Sequence, residues 1–120
     1  MRSFVREESS GSVKVFWLEK DELLESLKKE ARRLGEENPE IERIILFGSL
    51  AQGRAIPGSD ADLLIILTRI EKPFLERIGE WLMKIRIDFP VDVFPYTQEE
   101  LHTPLAREAL KNGIVLFKRS

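Results

Sequence analysis

The chain has 120 residues, 42% of them hydrophobic and 33% charged, and its 19 basic and 21 acidic side chains leave a formal charge of −2. That length suits one compact domain, the apolar share supplies a core, and no basic excess marks nucleic acid as the main partner. With no cysteine and one histidine, His102, a disulfide scaffold, a thiol nucleophile and Cys- or His-rich metal centres are excluded, and a Ser-His-Asp hydrolase is disfavoured.

No stretch reaches the run of about 20 apolar residues that spans a bilayer. The opening MRSFVREESSGS lacks the apolar core of a signal peptide, so a cytoplasmic protein is expected.

Residues 1–12 are polar, with a Ser-Ser-Gly-Ser cluster, and are expected to form a mobile tail before a domain at 13–120. A short edge strand is expected at 13–18. Over 21–37, Leu23, Leu24, Leu27, Ala31 and Leu34 recur at helical spacing, and Gly35 with Asn38-Pro39 is expected to end that helix. The β-branched run 44–47 reads as a buried strand that stops at Gly48-Ser49, with a short helical stretch after it. A second buried strand is expected at 63–67. Pro73 opens a helix whose stripe is Phe74, Leu75, Ile78, Trp81, Leu82 and Ile85. Beyond Pro90 come a strand at 91–94, a helical piece at 98–111 broken at Pro104, and a last strand at 114–117. The order points to one α/β (α+β) domain, with helices packed on a mixed sheet.

Three aspartates interrupt these apolar runs. Asp60 and Asp62 stand at the entry to the strand 63–67, and residues two apart on a strand share a face, about 7 Å apart. Asp92 is flanked by Val91 and Val93 and projects to the face opposite them. If the two strands are neighbours, the three carboxylates converge at one end of the sheet. Unit charges about 4 Å apart repel by about 4 kcal/mol at an effective dielectric of about 20. A hard divalent cation removes that cost, and oxygen-only ligands select Mg²⁺ or Mn²⁺. The plain alternative for each aspartate is a strand-end cap or an ion-pair partner.

Gly48-Ser49 ends the preceding strand. Glycine lets the backbone come close to a ligand, and Ser49 offers a hydroxyl and an N–H to an anion such as phosphate. GSLAQGRA has no Walker lysine, and Leu63-Leu64 stands where an EF-hand needs further ligands and its glycine.

The segment LFGSLAQGRAIPGSDADLLIIL therefore reads as strand, Gly-Ser, ten residues, Asp-x-Asp, strand. This resembles the nucleotidyltransferase superfamily of DNA polymerase beta type, with Asp92 of VDVFPY in the place of the later strand aspartate. The resemblance covers about 40–117. Because the chain ends soon afterwards, it looks like the minimal nucleotidyltransferases, the MntA-like antitoxins of HEPN pairs. The resemblance implies that Gly48 and Ser49 hold the β- and γ-phosphates of a nucleoside triphosphate. It also implies that Asp60 and Asp62 bind two Mg²⁺ ions, and that Asp92 ligates the catalytic ion and helps to deprotonate the acceptor hydroxyl. Family members often carry arginine where this chain has Leu50 or Gln52, and Arg54 reads equally as a substitute cation or a solvated loop charge.

The resemblance implies transfer of AMP from ATP to a hydroxyl, with a tyrosine of a HEPN ribonuclease toxin as acceptor. The alternative is a nucleotidyltransferase-fold binding module that neutralises or scaffolds its partner without turnover. His102 reads as an exposed surface residue, Trp17 and Trp81 as core or interface residues, and Tyr96 as structural.

Overall fold

The computed structural model describes residues 4–11, 13–69 and 72–120. Two strands, β1 (Val5–Ser10) and β2 (Val13–Leu18), precede helix α1 (Lys20–Glu37). Strands β3 (Ile41–Phe47) and β4 (Ala61–Leu67), helix α2 (Phe74–Lys84), strand β5 (Val91–Thr97), helix α3 (Pro104–Asn112) and strand β6 (Ile114–Lys118) follow. The main sheet has the order β5-β4-β3-β6. Strand β3 is antiparallel to β4 and β6, and β5 alone is parallel to its neighbour, so the sheet is mixed as expected.

Side-chain alternation sorts the core onto the two faces of the sheet. Ile44 and Leu46 of β3, Leu63 and Ile65 of β4 and Val93 of β5 pack with Leu23, Leu27, Ala31 and Leu34 of α1 and with Trp81 of α2. On the other face Ile45, Phe47, Leu64 and Ile66 pack against Ala106 and Ala109 of α3. Each Leu or Ile taken wholly from water contributes about 1.5–3 kcal/mol. The two β-branched strands in the middle therefore anchor the fold.

Several local features differ from the sequence expectation. Residues 5–10, expected within a tail, form β1 and pair antiparallel with β2 from Val5↔Leu18 to Ser10↔Val13. Gly11, with φ +61°, lies in the turn between them. The strand is too polar to announce itself; it is held by pairing with β2, by the N–H of Glu19 donating to the carbonyl of Phe4 (2.7 Å), and by the Phe4–Phe89 ring contact at 6.2 Å. The remainder of that tail, 1–3 and 12, lies outside the described residues.

Gly35 does not end α1. A Cβ there would overlap the ring of Phe117 from β6, so this glycine exists for close packing inside the helix. The helix stops at Asn38, whose Nδ2 donates to the carbonyl of Leu34 (2.8 Å), before Pro39.

Strand β5 runs through Pro95, where the expectation stopped at 94. It is an edge strand, so the missing N–H leaves no ladder bond unmade. The carbonyl of Pro95 accepts from Arg77 (2.7 Å), and Arg77 also meets Glu100 (3.0 Å). Arg77, only 7% exposed, takes a place on the inner face of α2, while Leu75 and Leu82 of the expected stripe point outward. The break at Pro104 is present: a 3-10 turn at Gln98–Glu100 precedes α3, which Thr103 caps by accepting from the N–H of Ala106.

Candidate active site

Strand β3 ends, and β4 and β5 begin, at one end of the sheet. The registers Phe47↔Asp62 and Asp62↔Asp92 lay these three residues in one row across the three strands. Adjacent strands lie about 4.8 Å apart, and register partners share a face. Asp62 and Asp92 therefore stand side by side on the face that carries α3, opposite Val91 and Val93. The N–H of Ala61 donates to the carbonyl of Pro90 (2.9 Å) and locks the two strand entries together. Asp60 stands immediately before β4.

Gly48 has φ +77°, and a Cβ at that position would overlap the carboxylate oxygen Oδ2 of Asp62. The left-handed backbone calls for glycine, and a Cβ would also oblige the Asp62 carboxylate to turn aside. Beyond it the chain makes tight turns rather than the expected helical stretch. The N–H of Gln52 donates to the carbonyl of Gly48 (3.1 Å), and that of Arg54 to the carbonyl of Ser49 (2.9 Å). The N–H groups of Ser49, Leu50 and Ala51 meet no acceptor among the described residues. Successive amides of this kind suit an anion. Ser49 is half-buried beside them.

The electrostatics of the corner are unfavourable for bare carboxylates. Burial, then the charges of Asp92 and Asp60, push the Asp62 carboxyl above its ordinary range. Among the described residues no basic side chain pairs with any of the three. Asp60 and Asp92 are exposed and Asp62 is half-buried. Among the described residues no group of three or more His, Cys, Asp or Glu side chains is gathered closely enough to hold a metal ion. The all-oxygen donors and their mutual repulsion fit a hard divalent cation.

Arg54 is exposed, and its Nε donates to Oε1 of Gln52 (3.0 Å) while Nε2 of Gln52 donates to Glu108 of α3 (3.2 Å). The loop thus holds its own arginine, through the residue that stands where relatives often carry one. Lys20, which sequence reasoning passed over, donates from Nζ to the carbonyl of Gly53 (3.3 Å). No local pattern could have found it, since 33 residues separate the two.

His102 is exposed and its Nδ1 lies 2.7 Å from the carbonyl of Glu99. Trp81 is buried, Trp17 is 40% exposed, and Tyr96 packs on Phe74 with ring centres 5.5 Å apart.

Residues 29–120 match the family of polymerase beta nucleotidyltransferases. The chain belongs to this family. Among solved structures, a nucleotidyltransferase from Sulfolobus solfataricus is similar at 25% identity and a TM-score of 0.65, over 83% of this chain and 84% of that one. A toxin–antitoxin complex with AMP-PNP is similar at 23% identity, with a TM-score of 0.54, over 78% of this chain and 74% of that one. A mutant of the toxin–antitoxin pair MntA–HpeT is similar at 20% identity, with a TM-score of 0.57 and the same coverage. The last two likenesses bear on the fold alone. No curated protein matches. Among the described residues no helix is long and apolar enough to cross a membrane.

Proposed function

We propose that this nucleotidyltransferase moves AMP from ATP to a hydroxyl of a partner protein, with Mg²⁺ (or Mn²⁺) at Asp60, Asp62 and Asp92. The observation that carries the reading is the Asp62↔Asp92 register beside Gly48, a paired carboxylate row directly under a turn with free amides. Gly48 and Ser49 receive the β- and γ-phosphates through backbone N–H groups and the serine hydroxyl, and Arg54 adds a cation at the rim. When bound, two divalent ions supply charge neutralisation for the attacking and leaving oxygens. The acceptor oxygen bonds to the α-phosphorus, and the bond from that phosphorus to the oxygen leading to the β-phosphate breaks. Pyrophosphate leaves, and the hydroxyl proton passes to the Asp92 carboxylate.

The partner we propose is a HEPN-type toxin, with a tyrosine as acceptor, neutralised in the cytoplasm. Likeness to two toxin–antitoxin structures, one holding AMP-PNP, supports this choice. The test incubates the protein with ATP labelled at the α-phosphate, Mg²⁺ and the product of the adjacent gene. Label is expected on the partner with wild type and not with Asp60→Asn or Asp62→Asn. No transfer by wild type, or undiminished transfer by the variants, overturns the reading.

One observation favours a second reading, a binding module without turnover: Gln52 engages the Nε edge of the Arg54 guanidinium that a triphosphate needs. That reading expects Asp62→Asn to silence the partner as well as wild type does.

A further inference from the structure

Arg77 of α2 is 7% exposed, and its donors are only partly used. Nη1 donates to the carbonyl of Pro95 (2.7 Å) and to Oε1 of Glu100 (3.0 Å), and Nη2 donates to Oε2 of Glu100 (3.5 Å). Nε is buried and meets no acceptor among the described residues. A guanidinium carries five N–H donors in one rigid plane. Glu100 takes the end of that fork, so the donors left over are Nε–H and the outer N–H of Nη2. These two lie parallel on one edge, the arrangement that grips two oxygens of a carboxylate or phosphate.

Arg77 forms part of the wall of a cavity of about 240 Å³ between α2 and the far end of β4. Arg69, Lys72 and Arg77 line it against Glu40 and Glu80, so cations exceed carboxylates by one, in a chain whose formal charge is −2. Leu67 and Trp81 supply its apolar part. Lys72 donates to Glu80 (2.6 Å), but Glu80 also accepts from Lys84 (3.3 Å). Lys72 can therefore turn to an incoming anion while Glu80 keeps a cation. We propose that this cavity binds a small oxyanion, a carboxylate or phosphate on a short body, held side-on by Arg77 and from the rim by Lys72. A buried donor without an acceptor is destabilising, and an anionic oxygen meets that need better than a neutral one. The volume lies below the range of about 300–1,000 Å³ that takes drug-sized ligands, so the ligand is smaller than a nucleoside triphosphate. Leu67 stands at the opposite end of β4 from Asp62, about 17 Å along the strand, so the site is separate from the aspartate row.

The test titrates the unaltered chain with inorganic phosphate and, separately, with succinate, and follows the Arg77 Nε–H signal in proton–nitrogen correlation spectra. At millimolar concentration at least one probe is expected to move that signal to saturation. Lys72→Glu, at a side chain more than half exposed, is expected to weaken binding at least ~10-fold without disturbing the core. Arg54→Ala, at the other end of the sheet, is expected to leave it unchanged, which separates this cavity from the turn at Gly48. Saturation by phosphate alone, or by succinate alone, supports the site and names the class of its ligand. A signal that neither probe moves overturns the proposal. So does a shift that Lys72→Glu leaves intact or that Arg54→Ala abolishes.

Discussion

Gln52 accepts the guanidinium of Arg54 on its side-chain oxygen and donates its side-chain amide to Glu108, so one residue ties the cation of the loop to helix α3. A guanidinium held by a neutral amide loses little by turning to a triphosphate, because charge-assisted hydrogen bonds are the stronger. Arg54→Ala is expected to weaken binding of a non-hydrolysable ATP analogue about 10-fold or more, as removal of a charged hydrogen bond costs about 1.5–3 kcal/mol. Gln52→Ala, which only frees the arginine, is expected to change affinity less. Titration calorimetry in the presence of Mg²⁺ measures both, and equal binding by Arg54→Ala and wild type would show a solvated loop charge.

Asp62 links the site to stability. Its carboxyl is raised by burial and by Asp92 and Asp60, so the folded state favours the protonated form. Its contribution is fully present below the unfolded pKa and is lost as pH rises through the higher folded value. At pH 7 without metal, Asp62→Asn is therefore expected to melt at a higher temperature than wild type. The gap should close as the pH falls toward 4. Added Mg²⁺ should raise the midpoint of wild type more than that of the variant. Thermal melts across pH, with and without Mg²⁺, decide this, and a variant less stable than wild type at pH 7 contradicts it.

Glu100 behaves in the opposite sense. Burial pushes its carboxyl up, but the Arg77 side chain and the N–H of Thr97 outweigh burial and hold it below the usual range. The stability it contributes is present above the unfolded pKa and is lost as pH falls through the lowered folded value. Breaking a buried ion pair costs about 3–5 kcal/mol, and the one-third exposure of Glu100 reduces this to about 2 kcal/mol for Glu100→Gln. Urea unfolding at pH 7 and pH 3 should show that loss at the higher pH and much less of it at the lower.

The contact between Gly35 and the Phe117 ring gives a test of the fold. Gly35→Ala places a methyl group in the ring and is expected to destabilise by about 1–3 kcal/mol, despite the better helix propensity of alanine. Phe117→Leu should make the alanine less costly, and a double-mutant cycle in urea reads the coupling. Additive effects would mean that the ring moves aside freely.

These cases show how far the residues could be read before their contacts were known. The strands β3 and β4 were legible because unbroken β-branched runs have few other homes, and Asp60, Asp62 and Asp92 stood out as candidates because a carboxylate in or at the entry to such a run needs a reason. The row of Asp62 and Asp92 across β4 and β5 followed from alternation together with strand adjacency. Strand β1 was not legible, because its stability lies in pairing with β2 rather than in its own polar residues. Gly35 reads as a helix end until Phe117 is seen against it. The outward turn of Leu75 and Leu82 depends on Arg77 finding Pro95 and Glu100, partners 18 and 23 residues away, and Lys20 reaches the loop by a contact of the same kind.

The central claim is that Asp60, Asp62 and Asp92 hold a divalent cation beneath a triphosphate. Electron paramagnetic resonance of Mn²⁺ titrated into the protein with a non-hydrolysable ATP analogue tests it most directly. The account predicts nucleotide-enhanced Mn²⁺ binding that falls at least ~10-fold in Asp62→Asn and in Asp92→Asn, each losing more than the 1.4 kcal/mol that a tenfold change represents. Mn²⁺ binding that is unchanged in both variants would contradict it.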